Sequence, residues 1–218
     1  VPTRTRWREP MDMFRANGEI TIAILAKAPI AGVAKTRLIP ALGPEGAARL
    51  QQRLLTAAVQ TALEVGTVTL WAAPDHSHPA FQQFAPRVRL ACQPDGDLGA
   101  RMLDAVAAEN GPVLVIGTDC PTLTADHLRR SADLLHDGID VVVNPAEDGG
   151  YVLIGMRKPE PRLFADMAWS TPTVMMETRR RLAALNLSWR EPARLWDVDV
   201  PCDLQRLRAE NLAHLLQE

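Results

Sequence analysis

Two segments of this chain, ITIAILAK at residues 20–27 and VLVIG at residues 113–117, are apolar almost without interruption. A strand with one wet face alternates apolar and polar residues. These two do not, which predicts strands buried on both faces, as in a parallel sheet covered by helices. Further strands are expected over residues 68–73, 88–93, 139–144 and 151–155, with a short last one over 195–198. Helical spacing fills the gaps. Leu50, Leu54, Leu55, Ala58, Ala62 and Leu63 mark a helix over residues 45–65, stopped by Gly66. Asp97 is placed to cap a helix over residues 98–109, and Thr124 one that runs to about 135 with Asp126 in its first turn. Thr171-Pro172 reads as a cap followed by proline at the first helical position, opening a helix to about 185, and Pro201 opens a last helix to about 216. Strands alternating with helices predict an α/β fold with a mostly parallel central sheet and helices on both faces. One domain is expected over residues 19–218. Residues 1–18 carry Arg4, Arg6 and Arg8 with no apolar stretch behind them, so they read as a disordered extension or one added for expression, not as a secretory signal.

The charge balance excludes some partners. In 218 residues, 24 basic and 26 acidic side chains leave a formal net charge of −2, so nothing draws the whole chain to nucleic acid or to an anionic membrane. No apolar run approaches the length of a membrane span. The three cysteines, Cys92, Cys120 and Cys202, form no Cys-x-x-Cys pair, which argues against a zinc site or a disulfide framework and suits a reducing cytoplasm. An anion-binding function therefore needs a local cluster of positive groups.

Such a cluster follows the first strand. AKAPIAGVAKTRL (residues 26–38) holds Lys27, Lys35 and Arg37, with Gly32 for backbone freedom and Thr36 as a hydroxyl donor. Phosphate oxygens need positive charge and N–H donors, and this loop supplies both at the carboxyl end of a strand, where open sheets bind ligands. It is not a P-loop, because Ala34 stands where that motif needs glycine before the Lys-Thr pair. A solvated basic loop is the plain alternative. Asp119 lies just past the end of VLVIG, and Asp197 and Asp199 lie just before the last helix. Grouped at one sheet edge, these carboxylates repel one another unless a cation bridges them, and Mg²⁺ or Mn²⁺ is the expected bridge. Capping of the last helix is the competing use of Asp197 and Asp199. Cys120 has no histidine nearby in sequence to serve as its base, so it reads as a small structural residue. His76 and His78 read as loop residues.

The loop resembles a signature of a bacterial family in the nucleotide-diphospho-sugar transferase superfamily, whose members carry the label glycosyltransferase, some of the arsenosugar-biosynthesis type. The likeness continues through QPDGDLGARM (93–102), IGTDCPTLT (116–124), PAEDGGYVLIG (145–155), WST (169–171) and DVDVPCDL (197–204), which with the loop make six blocks in family order. More distantly, the chain is similar to phospholactate guanylyltransferases and molybdenum-cofactor nucleotidyltransferases. The resemblance implies a single Rossmann-like GT-A fold and a metal at Asp119 and the C-terminal aspartates. It also favours a binding role for residues that local chemistry explains as turns or caps. Asp97 and Arg101 then join Ala26, Lys27, Lys35, Thr36 and Arg37 at the nucleotide. Asp148, Gly149 and Gly150, with Ser170 and Thr171, then meet a small-molecule acceptor.

Lys35 and Asp119 are the expected catalytic residues of a metal-dependent transferase. Its donor would be a nucleotide sugar or a nucleoside triphosphate, and a homodimer is compatible with the sequence. Thr118-Asp119-Cys120 carries one carboxylate where metal-dependent GT-A glycosyltransferases carry Asp-x-Asp, a pattern nearer to nucleotidyltransferases. Glycosyl transfer is the first reading and nucleotidyl transfer the second. A nucleotide sensor without turnover is a third, and a phosphohydrolase lacks an evident base or nucleophile.

Overall fold

A computed structural model describes residues 20–216. The extension expected at residues 1–18 lies outside the described residues. Seven strands, β1 (Thr21–Lys27), β2 (Thr67–Ala73), β3 (Arg89–Cys92), β4 (Val113–Ile116), β5 (Val141–Pro145), β6 (Tyr151–Met156) and β7 (Trp189–Arg190), form one sheet in the order β3-β2-β1-β4-β6-β5-β7. β1 runs parallel to β2 and β4, β2 to β3, and β5 to β7. Only β6 is reversed, antiparallel to both β4 and β5. The tight turn between β5 and β6 explains the reversal, since two strands joined so closely can pair only as a hairpin.

The helices are α1 (Ile39–Leu63), α2 (Pro79–Gln82), α3 (Leu98–Ala107), α4 (Ala125–His136), α5 (Val174–Ala184) and α6 (Pro201–Ala209). Both faces of the sheet are covered. Ile22, Ile24, Leu70, Leu114, Ile116, Val142 and Leu153 pack with Leu55, Val59 and Ala62 of α1 and Leu128, Ala132 and Leu135 of α4. Their neighbours in the strands, Ala23, Val113, Val115, Val141, Val143, Ile154 and Met156, pack with Met102, Ala105 and Val106 of α3 and Met175 and Leu182 of α5. The uninterrupted apolar runs thus feed two cores through the period-two alternation of strand side chains. A third cluster joins Leu50 and Leu54 of α1 to Leu204 and Leu207 of α6, with Trp196 and Val198 between.

Several boundaries differ from the sequence reading. α1 is two helical pieces that meet at a kink, Gly43 (φ 68, ψ 168): the longer one follows Pro44, close to the expected 45, and a turn over residues 39–42 that was not expected precedes it. Residues 195–198 form no strand; Leu195 makes a single bridge to Ala146. β7 was not expected. Thr171 does not cap α5: its hydroxyl donates to the Ala168 carbonyl, and the helix starts at Val174 after Thr173. The last helix ends at Ala209, where Asn211 turns to φ 61 before a 3-10 turn over Ala213–Leu216. Asp97 and Thr124 cap α3 and α4 as expected, and His78, in the expected loop, caps the short α2. No helix among the described residues is long and apolar enough to cross a membrane.

Candidate functional site

The chain leaves β1 toward β2, on the β3 edge of the sheet, and leaves β4 toward β5, on the β7 edge, with α1 and α4 both on the same face. The carboxyl ends of β1 and β4 therefore flank a topological switch point, where an open α/β sheet leaves a crevice. The basic loop starts on one wall of this crevice and Asp119 stands on the other.

Lys35 is the hinge of the loop. Its backbone is left-handed (φ 50, ψ 44), an unusual state for a residue with a side chain, and it turns that side chain inward. The side chain is only 4% exposed, its Nζ lies 2.8 Å from Asp119 Oδ1, and it donates to the Val198 carbonyl at 2.5 Å. The Val198 N–H donates to the Asp119 carbonyl at 2.8 Å, so the C-terminal segment is stitched to the end of β4 at the same place. Arg37 and Thr36 are exposed, and Arg37 forms an ion pair with Asp199. Lys27 is exposed, whereas Ala26 is buried with its carbonyl accepting from Gln93 Nε2 at 3.0 Å.

The three aspartates expected to share a metal divide. Asp197 feels both Asp119 and Asp148, while Asp199 is paired with Arg37. Among the described residues, no group of three or more His, Cys, Asp or Glu side chains is arranged to hold a metal ion. The Asp197 carboxyl is pushed up to about 6, first by burial, then by the negative charges of Asp148 and Asp119, with Lys35 acting the other way. That excess of negative charge is what a divalent cation neutralises, so Asp119 and Asp197 fit such a group as two oxygen donors. The same crowding sets a pH dependence for the metal-free protein. The folded carboxyl keeps its proton up to about pH 6, whereas an ordinary one releases it near 3.8. The native state thus binds the extra proton across this interval, and the stability that it confers is lost as pH rises through about 6. Asp197→Asn is expected to flatten this fall in chemical denaturation curves taken between pH 4 and pH 7 without metal; an unchanged slope would contradict the assigned crowding.

Asp97 spends its carboxylate on the α3 cap, accepting the Ala100 N–H at 2.9 Å. Arg101 reaches Gln93 Oε1 at 3.4 Å, while its buried Nε has no hydrogen-bond partner. Asp148 accepts the Gly150 N–H at 2.9 Å within the hairpin turn. Gly149 joins that turn to the 170–175 segment. It has φ +95, its carbonyl accepts the Met175 N–H at 2.8 Å, and a Cβ there would stand 2.2 Å from the Pro172 carbonyl oxygen. Gly149 thus meets Pro172 and Met175, just beyond Ser170 (φ 62) and Thr171 in the chain. Trp169 explains Gly99, since a Cβ at that glycine would meet the indole at 2.7 Å. Burial pushes the Cys120 thiol up and Thr122 is its hydrogen-bonding neighbour, in keeping with a structural role.

Two residues escaped the sequence reading. Gln51, buried in α1, donates to the Lys27 carbonyl and to Thr118 Oγ1. Arg206 of α6 lies 4.3 Å over the Trp196 ring and 2.7 Å from Glu147, which ties the last helix to the hairpin turn. A lone glutamine in an apolar helix stripe was the available signal for the first, and a helical arginine gave none for the second.

A protein from Desulfovibrio desulfuricans G20, described as a candidate nucleotide-diphospho-sugar transferase, has a similar structure. It is 27% identical with a TM-score of 0.81, over 89% of this chain and 88% of that one. A CMP:2-keto-3-deoxy-manno-octonic acid synthetase complexed with CTP shares the fold at 15% identity and a TM-score of 0.55, over 90% of this chain and 99% of that one. So does a Mycobacterium tuberculosis protein in complex with manganese, at 17% identity and a TM-score of 0.51, over 87% and 97%. The fold is that of nucleotide-diphospho-sugar transferases and nucleotidyltransferases, mostly parallel with helices on both faces as the sequence implied. No curated protein matches the sequence. A family profile described as "Uncharacterized protein conserved in bacteria" covers residues 54–171, more than half of the 218, and the chain therefore belongs to that family, DUF2064.

Proposed function

We propose that the chain is a metal-dependent transferase that takes its group from a nucleotide-activated donor, and that the donor is a nucleotide sugar. The observation that carries this reading is the Lys35–Asp119 pair at the switch point: a buried ammonium 2.8 Å from a half-exposed carboxylate. Lys35 holds positive charge at a fixed place beside the donor's phosphates, and Lys27, Thr36 and Arg37 extend that charge and donor set along the loop. Asp119 and Asp197 would hold Mg²⁺ or Mn²⁺, which when bound would supply charge to offset that growing on the leaving phosphate. Asp199 keeps Arg37 in place. The acceptor lies against Asp148–Gly150, Ser170 and Thr171. In the transfer, the bond between the sugar's anomeric carbon and the diphosphate oxygen breaks, and its electron pair leaves with the nucleotide. The acceptor oxygen bonds to that carbon, and its proton passes to the diphosphate oxygen that leaves. Positioning and charge stabilisation supply the catalysis.

Nucleotidyl transfer is the second reading, favoured by the single carboxylate at Thr118-Asp119-Cys120 and by the CTP complex that shares the fold. The two are separated by thermal denaturation with Mg²⁺ against nucleotide sugars and nucleoside triphosphates. A ligand at a hundred times its Kd adds about 2.7 kcal/mol to the native state, a shift of several degrees for a chain of this size. Stabilisation by nucleotide sugars alone supports the first reading and by triphosphates alone the second. Asp119→Asn is expected to remove the Mg²⁺-dependent part of the shift. No response to either class, with or without Mg²⁺, defeats both readings.

A further inference from the structure

We propose that Gln51 is a positioning residue for Asp119, acting through the Thr118 hydroxyl. The inference rests on Asp119 being a working residue of the site just described. Gln51 lies on the inner side of α1, is 4% exposed and stands among Leu50, Leu54 and Leu55. A polar amide at such a place is costly unless its donors are met. Its Nε2 donates to the Lys27 carbonyl at 3.3 Å and to Thr118 Oγ1 at 3.1 Å. The carbonyl can only accept, which fixes the amide's orientation: nitrogen faces the two strand ends. Thr118 Oγ1, having accepted from Gln51, is left with its own hydrogen, and Asp119 Oδ1 lies 3.1 Å away to receive it.

The donations therefore run one way, from amide to hydroxyl to carboxylate, each polarising the next. They bridge the carboxyl ends of β1 and β4, the two strands that flank the crevice. They also decide which carboxylate oxygen is free. Thr118 and Lys35 both reach Oδ1, at 3.1 and 2.8 Å, and no other hydrogen bond to this carboxylate occurs among the described residues. Oδ2 keeps its lone pairs for a ligand. Gln51 touches neither phosphate nor metal; it sets the rotation of the group that does.

The lysine inventory gives a direct test. The chain has three lysines, of which Lys27 and Lys158 are exposed and serve as internal references for the buried Lys35. Amine labelling read by mass spectrometry reports how firmly Asp119 holds Lys35. Gln51→Met keeps the side-chain length without the donors, Thr118→Val removes the hydroxyl at constant shape, and Thr118→Ser keeps it. The first two are expected to raise the Lys35 labelling rate, relative to Lys27 and Lys158, by about fivefold to tenfold, the scale of one lost hydrogen bond. Thr118→Ser is expected to stay near wild type. The increase should not depend on low urea, which marks a local opening and not global unfolding. A second arm follows Mn²⁺ alone by its paramagnetic resonance signal, with affinity lowered severalfold in Gln51→Met and Thr118→Val and kept in Thr118→Ser. Unchanged labelling in both donor-deleting variants overturns the proposal, as does an equal rise in Thr118→Ser. If the wild-type protein binds no Mn²⁺, the metal part of the functional reading fails, and labelling still decides the role of Gln51.

Discussion

Lys35→Ala is expected to leave the fold standing and to lower turnover of a nucleotide-activated donor by about 10²–10³-fold, the usual consequence of deleting one preorganised donor from a site of charge development. Three features support so large an effect. The Lys35 side chain is 4% exposed, so its charge acts with little screening by water. Its Nζ is fixed by two partners on different segments, Asp119 and the Val198 carbonyl, so little reorganisation accompanies the reaction. The cation in the variant cannot be replaced from nearby, because Arg37 is turned outward to Asp199. The fold should survive because the carboxylate left behind is 47% exposed and can be rehydrated. Lys35→Arg is expected to rescue poorly, since a planar guanidinium does not fit a place shaped for a compact ammonium. The decisive measurement is kcat with each donor class beside the thermal midpoint. Full turnover in Lys35→Ala would reduce the loop to a structural turn.

Gly149→Ala is expected to act first on stability and then on the acceptor wall. At φ +95 an alanine is strained wherever it stands, and here its Cβ would also lie 2.2 Å from a backbone oxygen, that of Pro172, which no side-chain rotation can move. Strain of this kind costs about 1–3 kcal/mol and overpacking a similar amount. At about 2–4 °C per kcal/mol for a chain of this length, the midpoint should fall by roughly 5–15 °C. The remaining folded protein relieves the clash by parting the hairpin turn from the 170–175 segment, which breaks the bond from the Met175 N–H to the Gly149 carbonyl. KM for the acceptor should therefore rise while nucleotide affinity, held across the crevice by the basic loop, stays. Gly150→Ala is the control. A Cβ there meets nothing nearer than an Asp148 carboxylate oxygen at 3.3 Å, and the midpoint should move much less. Equal effects from the two substitutions would sink the assignment.

What the sequence disclosed follows the range of the forces involved. The buried strands and the caps at Asp97 and Thr124 were legible because each is decided by residues within one turn or one strand. Thr171 was misread for a long-range reason: a threonine before proline is a sound local cap, but the pairing of Gly149 with Met175 sets where α5 starts, and the hydroxyl goes to Ala168 instead. The short turn ahead of Gly43 was not legible, because the packing of Leu38 with Leu50 that holds it is tertiary. At the site, residue types gave the loop and the carboxylates but not their pairing. Asp197 and Asp199 are equivalent in sequence, and only the fold turns one toward Asp119 and the other toward Arg37. Gln51 was invisible for the same reason: its partners, Lys27 and Thr118, lie 24 and 67 residues away.

The distances along the chain have a kinetic consequence. Lys35 meets Val198 across 163 residues and Arg37 meets Asp199 across 162, so the crevice closes only when the two ends of the domain come together. Loop closure of that length must be achieved before its contacts give anything back. The central strands, the hairpin and α4 can all be in place while no ligand can yet be held. Nucleotide binding would then report the last docking event of folding, and a nascent chain still lacking residues 197–216 would have the strands of its sheet but not the partners of Lys35 and Arg37. Such an arrangement would keep a half-made protein from sequestering a ligand.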